Sequence, residues 1–270
     1  MRHYIHEKFL SSQHRINVLV IGAGGTGSHV LTALSTVNSL MEHEGRAGLN
    51  VSVFDDDIVS EANLVRGAFG RADVRTYKGA TLISRLNAYF GTDWEAYHTQ
   101  YPCDDSLYSV KPDLLITCVD TGKAREEIYN YLTKNPDKTP VYWLDFGNRK
   151  ESAQVVLGSF GSVAQPNSEY DTTSVLPTIL DLFPNLSKFD DEDNTPSCSL
   201  AESLRKQGPF INAMVAKMGI NLLCRFLMNH YTETGGVMVE LSGCSMSPLP
   251  LDRGLWERYG FDPASKEDGL

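Results

Sequence analysis

Residues 18–30 read VLVIGAGGTGSHV, an apolar run that meets glycines at G-x-G-x-x-G spacing before a helix-like stretch. The spaced glycines are Gly22, Gly24 and Gly27, with Gly25 between the last two. Gly22 permits a tight turn, Gly24 lets backbone approach a phosphate, and Gly27 lets the helix pack closely. N–H groups at a helix start, with the positive end of the helix dipole, favour an anion there. Asp55 ends the next apolar segment, where a carboxylate can accept from ribose hydroxyls. The chemistry this set suits is holding a nucleotide by its phosphates and sugar. Two other readings stay open at this point. One is a glycine turn that only packs a helix on a sheet; the other is an oxidoreductase that holds NAD.

A loop of this kind works between a buried strand and a helix, and the flanking chain supplies both. Residues 16–21 (INVLVI) form an apolar run broken only by Asn17, the pattern of a strand buried on both faces. Residues 28–40 read as a helix, and 51–54 (VSVF) as a second strand running into Asp55, Asp56 and Asp57. Helical spacing over 75–89 shows in Ala80, Leu82, Ile83, Leu86 and Tyr89. Residues 114–119, 141–146 and 154–160 read as strands, 123–134 as a helix, and 210–228 as a strongly apolar helix. This alternation predicts an α/β fold, a doubly wound Rossmann-like, mostly parallel sheet. Residues 154–160 and 237–241 are expected to add some antiparallel strands. Residues 162–200, rich in Pro, Asp, Asn and Ser, read as a long, partly mobile crossover loop. The tail after Pro248 reads as surface wrap. The whole is expected to be a single domain over 1–270, with a nucleotide-binding half at 14–150 and a crossover and C-terminal half at 151–270.

Composition narrows the partners. The chain has 270 residues, 41% hydrophobic and 21% charged, enough for a sizeable core. A net charge of −10 disfavours nucleic acid and anionic membrane, and suits a small or basic protein partner. No apolar segment follows a basic start, and no run of about 18 apolar residues occurs, so neither secretory signal nor membrane span is expected. Cys103, Cys118, Cys198, Cys224 and Cys244 are odd in number and form no C-x-x-C pair. That disfavours a disulfide framework and a cysteine zinc site, and a cytoplasmic chain with reduced thiols is expected.

Residues 55–66 read DDDIVSEANLVR. In order, the chain therefore carries a G-x-G-G-x-G loop, then D-x-D-x-V-x-x-x-N-L-x-R, then Lys78, then Asp120-Thr121 after an apolar strand. This ordered set resembles the ThiF/MoeB/ubiquitin-activating superfamily over residues 16–145, and again from Cys198 into the apolar helix. The compact C-terminal half resembles the ThiF-type member of PRTRC gene systems. The resemblance implies ATP and magnesium as cofactors, and adenylation of the C-terminal glycine of a small ubiquitin-like β-grasp protein by a homodimer. It implies Asp55 on the ribose and Asn63 orienting a phosphate or the attacking carboxylate. Arg66 and Lys78 would neutralise the triphosphate and the charge growing in the transition state. Asp120 would hold magnesium. The substrate carboxylate is itself the nucleophile, so no Ser-His-Asp set is required.

Cys198, in Pro196-Ser197-Cys198-Ser199, resembles the crossover nucleophile of some members and could carry a thioester. The acidic run at 190–193 reads as a solvated loop or as a surface for a basic partner, and His29 as a packed or capping histidine rather than a phosphate sensor. Gly67 stands where the superfamily often has glutamine, and Thr121 where it often has asparagine. Many members supply an N-terminal arginine to the partner subunit's site; here the start offers Arg2 or Arg15, with Arg71 as another source of charge. These departures keep a non-catalytic nucleotide-binding scaffold as the alternative. A dehydrogenase has no use for the D-x-D-x-V-x-x-x-N-L-x-R block. Calorimetry is expected to show magnesium-dependent ATP binding; NAD binding without an ATP signal would reverse that expectation.

Overall fold

The computed structural model describes residues 1–104, 106–190 and 208–267. In chain order the elements that matter here are β1 (His3–Tyr4), β2 (Ile16–Ile21), α1 (Gly25–His43), β3 (Leu49–Phe54), α2 (Asn63–Arg66), α3 (Lys78–Phe90), β4 (Glu95–Tyr97), β5 (Leu114–Thr117) and α4 (Gly122–Lys134). There follow β6 (Tyr142–Asn148), β7 (Ser152–Ser159), α5 (Ile179–Leu182), α6 (Ile211–Asn229), β8 (Tyr231–Thr232), β9 (Thr234–Glu240), β10 (Ser245–Pro250) and α7 (Arg253–Arg258). An eight-stranded sheet has the order β10-β9-β7-β6-β5-β2-β3-β4. From β4 to β6 neighbouring strands run parallel. β7, β9 and β10 continue it antiparallel. The chain enters in the middle at β2, works outward to β4, and crosses back to β5. That reversal between β2 and β5 leaves a crevice at the C-terminal ends of the strands.

The helices cover both faces because each carries an apolar stripe at helical spacing. In α1 the stripe is Val30, Leu31, Leu34, Val37 and Met41, all buried. Asn38 on the same face accepts the Leu49 N–H at 2.7 Å, tying the helix to the start of β3. α3 stops at Gly91, whose φ of +71° gives the left-handed C-terminal turn. α6 lies over α1 and the β6, β7 and β9 face. It is long and apolar enough to cross a membrane, by length and composition. Here its Val215, Ala216, Leu223 and Phe226 are core residues instead.

The first part of the expected crossover loop is packed structure. Val163, Val175, Leu176, Ile179 and Leu182 are buried, and Thr178 with Asp181 forms a capping box that opens α5. Isolated apolar anchors without a period hid this segment among polar residues. The rest of that stretch, Cys198 included, lies outside the described residues. The tail is not surface wrap: β10 extends the sheet, and Trp256 and Phe261 are buried. Pro248 and Pro250 bring no N–H to this edge strand, which discourages a further strand from pairing there.

β1 pairs with β8 and seats His3 in the core, 0% exposed. Its Nδ1 donates to the Thr173 carbonyl at 2.8 Å, so Nε2 accepts from the Tyr142 hydroxyl at 3.0 Å. Desolvation pulls this imidazole down to about 4, against the Thr173 bond that pulls it up. Between pH 6.5 and 4 the unfolded chain binds a proton that folded His3 refuses, so stability falls as pH falls through that window. The contribution is on the order of 3 kcal/mol when complete. Urea unfolding at several pH values is expected to show this slope in the wild type and a shallower one in His3→Gln.

Candidate nucleotide site

A pocket of about 380 Å³ opens at the switch point, lined by Gly22, Gly24 and Gly25, by Asp55, Asp56 and Asp57 after β3, by Asn63 and Arg66 of α2, by Lys78 and by Asp120. Five short stretches of chain therefore meet in one cavity. Gly22 has φ +92°, where a side chain is strained. Gly27 does not line the pocket: a Cβ there would lie 1.9 Å from the Gly22 carbonyl oxygen. Gly24 faces open space, with nothing within 4 Å of where its Cβ would be. α1 begins at Gly25, earlier than its apolar stripe indicates, with no side-chain cap on its first turn. Those first N–H groups suit an anion.

The acidic turn after β3 is braced rather than loose. Asp55 accepts the Ala23 N–H at 2.6 Å and the Asp57 N–H at 3.0 Å, linking the glycine loop to the turn. Burial pushes the Asp55 carboxyl up, and the Lys78 charge works against that. Lys78 Nζ donates to Asp57 at 2.6 Å, with the lysine side chain 9% exposed. Gln100 donates to Asp56 at 2.9 Å. Asn63 Oδ1 accepts from the Ser60 N–H and hydroxyl at 2.9 and 3.0 Å, fixing α2 under the pocket. Desolvation lowers the Arg66 guanidinium from its usual value while the Asp120 charge raises it. His29 is a packed histidine, lowered by burial and bonded to the Arg66 backbone.

Asp120 is exposed and does not cap α4. Thr121 accepts the Ala124 N–H at 3.1 Å. Asp190 accepts those of Gly122 and Lys123 at 2.6 and 2.8 Å. The first residue of the acidic run is thus a helix cap, not a solvated charge. Among the described residues no group of three or more His, Cys, Asp or Glu is placed to hold a metal ion. One carboxylate in a phosphate pocket fits magnesium, which takes much of its shell from water and phosphate oxygens.

Sequence reasoning missed Thr26, Asn148 and Asn212, which also line the pocket. An asparagine at a strand end and another opening an apolar helix carry no periodic signal. Within one chain, Arg2 and Arg15, considered for a partner subunit's site, form ion pairs, and Arg71, considered as another source of charge, lies apart. Arg2 sits 3.6 and 4.0 Å from the ring centres of Tyr170 and Tyr231 and pairs with Glu233. Arg15 pairs with Asp93, and Arg71 lies outside the pocket lining. Burial pushes the Cys103, Cys118 and Cys224 thiols up, away from thiolate character.

A protein-family model described as the ThiF family matches residues 2–251, glycine loop, acidic turn and α6 together. The chain belongs to the ThiF family. Its fold is similar to that of E. coli MccB solved with ATP, at TM-score 0.55 and 15% identity over 88% of this chain and 64% of that one. It is similar also to MccB, described as a microcin C7 biosynthetic enzyme, in complex with N-formylated MccA (TM-score 0.54, 14% identity, 88% and 65% covered). PaaA gives TM-score 0.54 and 13% identity over 87% of this chain and 64% of that one. The chain spans just under two thirds of the length of these neighbours. Among curated proteins no sequence matches it significantly.

One departure from the ThiF-like pattern, Gly67, has a local steric reason. A Cβ at Gly67 would meet the Phe69 ring at 2.8 Å and the Ser28 hydroxyl at 3.0 Å, so these occupy the room a longer side chain needs. Thr121 serves as the cap of α4. The glycines make separable predictions. Gly27→Ala is expected to lower stability by roughly 1–3 kcal/mol, read by urea unfolding. Gly24→Ala is expected to stay within about 0.5 kcal/mol of wild type, yet lose at least roughly tenfold in nucleotide affinity because its methyl enters the pocket.

Proposed function

We propose that this ThiF-family chain is an ATP- and magnesium-dependent adenylyltransferase that activates the C-terminal glycine of a small ubiquitin-like β-grasp protein. The observation that carries this reading is the convergence of the glycine loop, Asp55, Asn63, Arg66, Lys78 and Asp120 on one pocket at the switch point. In the reaction a carboxylate oxygen attacks the α-phosphorus. The new acyl O–P bond forms as the bond to the β-phosphate bridge breaks, and pyrophosphate leaves. Two anions must approach each other, and the α1 N–H groups, Arg66 and Lys78 offset that repulsion. Lys78 is buried and already aimed by Asp57, so its charge needs little reorganisation. Asp55 is the group for the ribose, and Asn63 for a phosphate or the incoming carboxylate. Asp120 would hold the magnesium, whose contribution when bound is to neutralise phosphate oxygens.

The similarity to MccB, solved with ATP and with MccA, supports ATP as co-substrate. The net charge of −10 favours a partner with a basic face over nucleic acid. Phe210 and Met214 are exposed at the start of α6 and offer an apolar face for a homodimer. The free thiols among the described residues fit a cytoplasmic setting. A second step follows if the Cys198 thiolate attacks the acyl carbon, forming a thioester as AMP leaves. The raised thiols of Cys103, Cys118 and Cys224 make them poorer candidates for that step.

ATP–pyrophosphate exchange driven by a small β-grasp protein ending in glycine tests the reading. Arg66→Ala and Lys78→Ala are expected to slow exchange roughly 100- to 1000-fold while melting temperature is kept. Wild-type rates in both would remove them from the mechanism. Cys198→Ala is expected to keep exchange and lose a partner adduct that dithiothreitol cleaves. Exchange by a wild type that never forms the adduct ends the chemistry at the adenylate.

A further inference from the structure

Thr26, Asn148 and Asn212 border the glycine loop, and the proposed chemistry uses none of them. They come from the first turn of α1, the end of β6 and the first turn of α6. The Thr26 hydroxyl donates to Asn212 Oδ1 at 2.9 Å. Asn148 Nδ2 donates to Thr26 Oγ1 at 3.1 Å and to Asn212 Oδ1 at 2.5 Å. Asn212 is 1% exposed. Its amide also presses on the loop itself, for a Cβ on Gly25 would lie 2.9 Å from Asn212 Cγ. Buried amides are costly when a bond is lost, so a network this closely spaced favours one arrangement. Any displacement of α6 therefore displaces Thr26 and the N–H groups of the first turn of α1.

We propose that Thr26, Asn148 and Asn212 form a clamp through which the C-terminal half of the chain sets the phosphate-binding geometry of the glycine loop, with Asn212 as the positioning residue. The clamp rests on the nucleotide reading above and adds to it. Phosphate affinity becomes a property of α6 and β6 as much as of the loop that contacts phosphate.

The test uses the full chain with ATP and magnesium by calorimetry, and adenosine by saturation-transfer NMR. Asn212→Ala and Thr26→Val are expected to lose about tenfold in ATP affinity, with adenosine affinity kept within about twofold. Thr26→Ser, which retains the hydroxyl, recovers most of the loss. Gly25→Ala alone weakens ATP binding because its methyl meets the Asn212 amide. Combined with Asn212→Ala the methyl has room, so the double variant binds ATP no more weakly than Asn212→Ala alone. Additive losses in the double variant, or equal losses of ATP and adenosine, overturn the clamp while leaving the nucleotide reading intact. A wild type that binds no ATP overturns the nucleotide reading and the clamp with it. Should Asn212→Ala fail to fold, the Thr26→Val and Thr26→Ser pair decides.

Discussion

Helix α1 starts so close against the end of β2 that no side chain fits between them, and Gly27 carries none. A single methyl at Gly27 would fall 1.9 Å from the Gly22 carbonyl oxygen. Were the helix held further off, Val30, Leu31 and Leu34 would lift from the sheet, and the apolar contact they make would be lost. The first-turn N–H groups would also turn away from the crevice between β2 and β5. One close approach therefore serves both the core and the site.

The pocket gathers carboxylates in a chain that is already acidic, and the turn after β3 stays compact because each of its three aspartates is given a partner. Asp55 takes two backbone N–H groups, Asp56 takes Gln100, and Asp57 takes Lys78. Asp120 keeps its carboxylate toward solvent because Thr121 and Asp190 perform the capping it would otherwise do. Hydrogen bonds to ionised groups are the stronger kind, so these pairings hold the turn in shape before any ligand arrives.

Below Asp120 the strand ends are joined by a buried polar network. Arg125 donates to Asp145 at 2.7 Å, to the Thr121 carbonyl at 2.9 Å and to the Phe146 carbonyl at 2.7 Å. Thr117 donates to the same Asp145 oxygen, and Trp143 donates to Thr117. A buried ion pair of this kind adds little net stability, since both charges leave water. What it supplies is position: it locks the turn carrying Asp120 to the end of β6. With the Thr26, Asn148 and Asn212 bonds on the other side, β6 supports the pocket from two directions.

Much of the architecture was legible in the chain alone. Buried strands declare themselves as apolar runs such as INVLVI and helices by their stripes, because burial of one face is a local, periodic demand. The ordered glycines and Asp55 pointed to a nucleotide site, since a strand–turn–helix unit carries its ligand groups at set offsets, whereas Asn63, Arg66, Lys78 and Asp120 came from the resemblance to the ThiF superfamily. Helix starts, the α5 segment and the packed tail were not legible, because single anchors such as Trp256 have no period. Nor were Asp190 as the cap of α4, the Asp57–Lys78 pair, or the bond from Thr26 to Asn212 across 186 residues. Polar contacts of that kind depend on where strands and helices stop relative to one another. Sequence periodicity determines which face of each element is buried; only the packed tertiary structure decides which ends meet, and so which side chains aim the loop.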